Sequence, residues 1–234
     1  MQRSKDAAPD RQSQEQEPKV SPRIVLLHGF MGTPDDLAPF ARSLGVQARF
    51  VFPEGNVDLA PFDLPGRAWW PVDVDGRAEA LSRGPRDLCQ FAPEGLGAAR
   101  EHLDGMLDEL DREAPGPLVL GGFSQGAMLS CEVALSTPRP LAGLVMFSGA
   151  LIRQGTWRPR YPSRTGLRVF VSHGRSDPDL SFAAAESFQG ELAAAGLEVT
   201  WCPFDGGHEI PFVVWRTLRR WLSSSLRSLP PHAR

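Results

Sequence analysis

Ser124 stands in Gly122-Phe123-Ser124-Gln125-Gly126, a serine with a glycine two residues to either side. That spacing suits a nucleophile. A sharp turn from strand to helix forces the central residue into a strained backbone conformation and leaves no room for side chains two positions away. The hydroxyl then stands free at a helix N-terminus, where the dipole favours developing negative charge. So short a pattern also arises by chance, and its surroundings decide. It lies between the apolar run Leu118-Val119-Leu120 and a helical segment opening at Gln125, the order such a turn requires. The competing reading is a glycine-rich turn with an incidental serine.

A serine hydroxyl needs a base before it attacks anything. Of the five histidines, His232 is in the C-terminal tail and His102 falls within a helix away from the strand ends. His28 and His173 each close a strand and precede glycine, where an imidazole more often orders a loop. His208 is the best base, because Phe204-Asp205-Gly206-Gly207-His208 is a flexible loop after the last strand. A surface loop histidine is the plainer alternative. The acid that orients the imidazole is Asp177, which follows the strand at 168–172; Asp179 and Asp205 compete for that role. Asp205 is only three residues from His208 and reads as a turn former. An oxyanion in such a reaction needs two backbone N–H donors. One is expected from Gln125 and the other from the loop His28-Gly29-Phe30-Met31-Gly32, at Phe30.

These residues need a scaffold that gathers distant positions onto one rim. Short apolar runs at 24–27, 118–122, 143–147, 168–172 and 197–203, with a weaker one at 48–52, alternate with helical stripes. Thr33, Pro34, Asp35 and Asp36 read as a helix start, followed by the stripe Leu37, Phe40, Ala41 and Leu44 up to Gly45. Further helices are expected over 93–113, 125–137, 181–195 and 211–225, the last with Phe212, Trp215, Leu218 and Leu222 inward. Strands alternating with helices predict an α/β fold, a mostly parallel, doubly wound sheet of about six strands. In such sheets ligand chemistry belongs at the carboxyl ends of the strands. Residues 54–91 break the pattern and predict a long irregular excursion holding Trp69-Trp70, and 153–164 predicts a Pro/Arg-rich loop.

Composition narrows the partners. The 234 residues suffice for one buried core, expected over 22–226, with a disordered polar tail over 1–21 and a frayed end over 227–234. A net charge of −3 gives no basic excess for tracking nucleic acid. No run approaches the roughly 20 apolar residues of a membrane span. Residues 1–20 lack the apolar core of a secretory signal. Three cysteines without a CxxC pair suggest no metal site and fit a reducing, cytoplasmic setting. Oligomeric state leaves no readable mark.

Three motifs taken together, Gly122-Phe123-Ser124-Gln125-Gly126-Ala127, His173-Gly174-Arg175-Ser176-Asp177 and Gly206-Gly207-His208-Glu209-Ile210, resemble the phospholipase/carboxylesterase family of α/β-hydrolases. The resemblance spans roughly residues 23–226, and Arg67-Ala68-Trp69-Trp70 and Phe147-Ser148-Gly149 sit where that family carries similar segments. It implies an α/β-hydrolase fold, no cofactor, and hydrolysis of a small-molecule carboxylic ester or acyl thioester. Two departures stand out. The loop at 28–32 holds one residue more between its glycines than the family's His-Gly-x-Gly, and residues 1–21 are too polar to supply the family's N-terminal strands. Met31, Trp69 and Trp70 could wall an acyl pocket, with the tryptophans equally readable as anchors of a long loop. Two other functions remain open: a hydrolase of peptides, lactones or other activated metabolites, and a non-catalytic binding protein on the same scaffold.

Overall fold

A computed structural model describes residues 21–227. The tail expected over 1–21 therefore lies outside the described residues except for Ser21. Of the end expected to fray over 227–234, only Arg227 is described, and it closes the last helix.

Among the described residues eight strands and seven α-helices follow one another. They are β1 (Arg23–Leu27), α1 (Ala38–Ser43), β2 (Arg49–Val51), β3 (Val57–Asp58), β4 (Arg67–Ala68), α2 (Val74–Ser82) and α3 (Leu96–Glu113). Then come β5 (Leu118–Phe123), α4 (Gln125–Ser136), β6 (Gly143–Phe147), α5 (Gln154–Trp157), β7 (Arg168–Gly174), α6 (Phe182–Ala194), β8 (Glu198–Phe204) and α7 (Phe212–Arg227). Six strands form one sheet in the order β2-β1-β5-β6-β7-β8, and every neighbouring pair is parallel. The α/β fold and the strand number expected from the sequence are thus observed. The two short strands β3 and β4 pair antiparallel in a separate ribbon.

Helices cover both faces, which is why the strands are apolar on both sides. Val25, Leu27, Leu118, Leu120, Leu144 and Met146 face a core closed by α3, α4 and α6. The alternate residues Ile24, Leu26, Val119, Val145, Phe147 and Phe170 face a second core closed by α1 and α7. The chain leaves β1 toward one edge of the sheet and leaves β5 toward the other. The crevice between their carboxyl ends is therefore a topological switch point, where open α/β sheets bind ligands.

Five local expectations are revised. The segment at 33–44 begins as a 3-10 turn over Pro34–Asp36 and becomes α-helical only at Ala38. Phe40 is half exposed, lying flat against Trp215 with ring centroids 5.6 Å apart. Phe212, placed inward by its spacing, overhangs at the first residue of α7 and is 79% exposed. The stretch 153–164 winds into α5 and a 3-10 helix (Arg158–Arg164), and the excursion 54–91 contains α2. No residue of α2 is buried, so it has no apolar stripe for a sequence reading to find. No helix among the described residues is long and apolar enough to cross a membrane.

Candidate active site

Ser124 sits between β5 and α4 with φ 52° and ψ −114°, a conformation that is costly for any residue but glycine. Close packing beneath explains the flanking glycines. A Cβ on Gly122 would lie 2.7 Å from the Leu27 carbonyl oxygen, and one on Gly126 would lie 2.4 Å from the same atom. Neither can be borne. The turn is held from the side by the Ser124 N–H, which donates to the Phe147 carbonyl at 2.9 Å.

The loop after β7 presents Asp177, and the loop after β8 brings His208 to it. His208 Nδ1 lies 2.7 Å from Asp177 Oδ2. A carboxylate only accepts, so Nδ1 carries the proton and the Nε2 lone pair is left free. The other carboxylate oxygen, Oδ1, accepts from the N–H groups of Asp179 and Leu180 at 2.8 and 3.0 Å. Burial pushes the Asp177 pKa up. The hydrogen bonds from His173 and His208, the His208 charge and the Leu180 amide outweigh that and hold it well below the usual carboxylate range. The two rival acids are engaged elsewhere. Asp179 pairs with Arg77 and Arg86, and Asp205 is exposed beside Arg175. Ser124 and His208 line one cavity, and the Phe123 ring packs against the His208 imidazole at 4.8 Å between centroids. Among the described residues no hydrogen bond joins the Ser124 hydroxyl to His208; such contacts are commonly looser without substrate.

The loop after β1 supplies the opposite wall. The Met31 N–H donates to the Arg67 carbonyl and the Gly32 N–H to the Gly29 carbonyl, at 3.0 and 3.1 Å. Between Gly29 and Gly32 this leaves the Phe30 N–H without a backbone acceptor among the described residues, and Phe30 and Gln125 both line the cavity. His28, expected to order a loop, does so. Its Nε2 accepts from the Gly55 N–H at 2.9 Å and its Nδ1 meets the Gly29 carbonyl at 2.7 Å. Burial lowers its pKa, in keeping with a neutral ring.

Trp69 and Trp70 divide the two roles open to them. Trp69 is buried, stacks on His28 and donates from Nε1 to the His28 carbonyl at 2.9 Å. It anchors the excursion and does not line the cavity. Trp70 does line it, with Phe30 and Met31. A feature absent from the sequence reading binds this segment to the nucleophile turn. The buried Gln125 side chain accepts from the Trp69 N–H at 2.8 Å and donates to the Trp70 carbonyl at 3.0 Å. The cavity itself holds about 460 Å³. Leu88, Phe91 and Met128 extend its apolar lining, and Arg77, Arg86 and Asp179 form a polar end not expected from the sequence.

Comparison with known proteins agrees with the fold. The model of the phospholipase/carboxylesterase family matches residues 10–226. An acyl-protein thioesterase 1 of Mycosarcoma maydis is 25% identical over 185 residues, covering 70% of this chain and 72% of that protein. One of Eremothecium gossypii is 30% identical over 151 residues, covering 60% of this chain and 57% of its own length. The crystal structure of the Bacillus cereus carboxylesterase superposes with a TM-score of 0.69 at 22% identity, covering 91% of this chain and 92% of that one. With the family model spanning nearly all of the described sheet and helices, the chain belongs to the phospholipase/carboxylesterase family.

Proposed function

We propose that this chain hydrolyses carboxylic esters or acyl thioesters through a serine nucleophile at Ser124. The observation that carries the reading is the 2.7 Å bond between His208 Nδ1 and Asp177 Oδ2, with His208 and Ser124 on one cavity wall. The names of the relatives, acyl-protein thioesterases and carboxylesterases, point the same way.

In this mechanism the Ser124 oxygen attacks the acyl carbonyl while His208 Nε2 takes the hydroxyl proton. Asp177 holds the ring in the tautomer that can accept it and stabilises the imidazolium. The oxyanion lies against the N–H groups of Phe30 and Gln125, aided by the N-terminal dipole of α4. Collapse of the tetrahedral intermediate expels the alcohol or thiol, which His208 protonates. Water then attacks the acyl-enzyme with His208 again as base, releasing the acid and restoring Ser124.

A fluorophosphonate probe followed by intact-mass measurement tests the assignment. The wild-type chain gains one adduct, mapped to Ser124 by digestion, and Ser124→Ala gains none and loses turnover of p-nitrophenyl esters while keeping its melting transition. Turnover retained by Ser124→Ala removes the serine from the mechanism.

A further inference from the structure

The polar end of the cavity is built from one carboxylate and two guanidiniums. Asp179 Oδ2 accepts from Arg77 Nη2 at 2.5 Å, and Oδ1 accepts from Arg86 Nε at 3.1 Å and also from Arg86 Nη2. Asp179 is buried, whereas the arginine side chains are 30% and 20% exposed, so both can be reached from the cavity. Nε and Nη1 of Arg77 and Nη1 of Arg86 have no protein acceptor among the described residues. The other acid on the cavity wall, Asp73, directs Oδ1 to the Gly76 N–H at the start of α2. Arg86 is also fixed through its backbone, donating to the Asp179 carbonyl at 2.9 Å and accepting from the Ser181 N–H at 3.0 Å.

A buried carboxylate is neutralised by one guanidinium. The second offsets Asp73, so the lining carries no net charge, and what the pair offers is free N–H donors in a fork that fits carboxylate or phosphate oxygens. Position matters as much as charge. Ser124 follows β5 and Asp179 follows β7, with β6 between them, and both line the one cavity. Trp70, Leu88, Phe91 and Met128 make the rest of the wall apolar.

We propose that Arg77 and Arg86 select ester or thioester substrates that carry a carboxylate or phosphate at the far end of one arm. The inference rests on Ser124 as nucleophile and adds the substrate class.

Two matched pairs of substrates test it. On the acyl arm, the mono-p-nitrophenyl ester of adipate is compared with p-nitrophenyl hexanoate. On the leaving arm, butyryl-coenzyme A is compared with S-butyryl-N-acetylcysteamine. In at least one pair the charged member is favoured about tenfold or more in kcat/KM, and the pair that responds tells which arm carries the anion. Arg77→Gln and Arg86→Gln each lower that charged-to-neutral ratio about fivefold or more, chiefly through KM. If a variant does not fold, the wild-type ratio supplies the same information, because it falls as ionic strength rises from about 0.05 to about 0.5 M. Equal rates within both pairs, or a ratio indifferent to both substitutions and to salt, overturn the proposal while leaving the esterase reading intact. Hydrolysis of none of the four substrates overturns both.

Discussion

His173 Nε2 lies 3.1 Å from Asp177 Oδ2, the same oxygen that takes the His208 imidazole. The His173 ring is buried, its Nε2 also lies 3.1 Å from the Leu180 carbonyl, and its Nδ1 has no partner. Both neighbours of Nε2 are acceptors, so Nε2 carries a proton. In the proposed mechanism His173 acts through Asp177, as a positioning residue. His173→Leu is expected to lower kcat about tenfold, equivalent to about 1.4 kcal/mol of barrier, with KM little changed. His173→Gln, which keeps a donor, should recover part of the loss. Steady-state kinetics on one p-nitrophenyl ester separate this from a packing effect, which would lower melting temperature without a selective fall in kcat.

The depressed pKa of Asp177 has a consequence for stability. A carboxyl held below its unfolded value, about 3.9, stabilises the fold at pH values above that and loses this contribution as pH falls toward the folded value. Asparagine at the same position does not titrate. The stability gap between wild type and Asp177→Asn should therefore be widest near neutral pH and shrink below about pH 4. Urea midpoints at pH 6.5 and pH 3.5 measure it, and a gap that widens in acid contradicts the assignment.

The two tryptophans should separate in their effects. Trp69→Phe leaves the His28 carbonyl without its indole partner inside the core, at a cost of about 1–3 kcal/mol of stability and little change in KM. Trp70→Ala alters the cavity wall, so KM for longer acyl chains should rise more than KM for acetate esters. Thermal melts together with a chain-length series distinguish them. Similar kinetics from both variants would show that the wall and the anchor are not distinct.

Sequence periodicity was sufficient for the sheet because each core strand carries apolar residues on both faces, as Val25 and Ile24 do for the two cores. The turn at Ser124 was legible because two glycines and a strand–helix junction mark a backbone that few sequences can form. Asp177 was distinguishable from Asp179 only by its place in a motif. The geometry separates them through the arginines on Asp179. Those arginines were illegible for a physical reason. Arg77 lies on a helix with no buried face, and Arg86 lies in irregular chain, so neither has a periodicity to betray its neighbours. Gln125 was expected only for its amide, since a side chain that reaches across 55 residues leaves no local signature. Phe40 and Phe212 were misplaced because helix spacing assumes a full cylinder. The helix carrying Phe40 is six residues long, and Phe212 begins one before its first turn is complete.

Through its side chain, Gln125 couples the reactive turn to the main chain of residues 69 and 70. Because those bonds reach backbone atoms, the identity of the side chains at 69 and 70 is not what secures them. The portion beyond, from Val72 to Phe91, carries no such tether to the turn. Exchange of that portion for a foreign segment that keeps Arg77 and Arg86, the partners of buried Asp179, would alter the far lining of the cavity and leave the bonds at 69 and 70 in place. Apart from those two arginines, new lining can be grafted there with the Gln125 tether left whole.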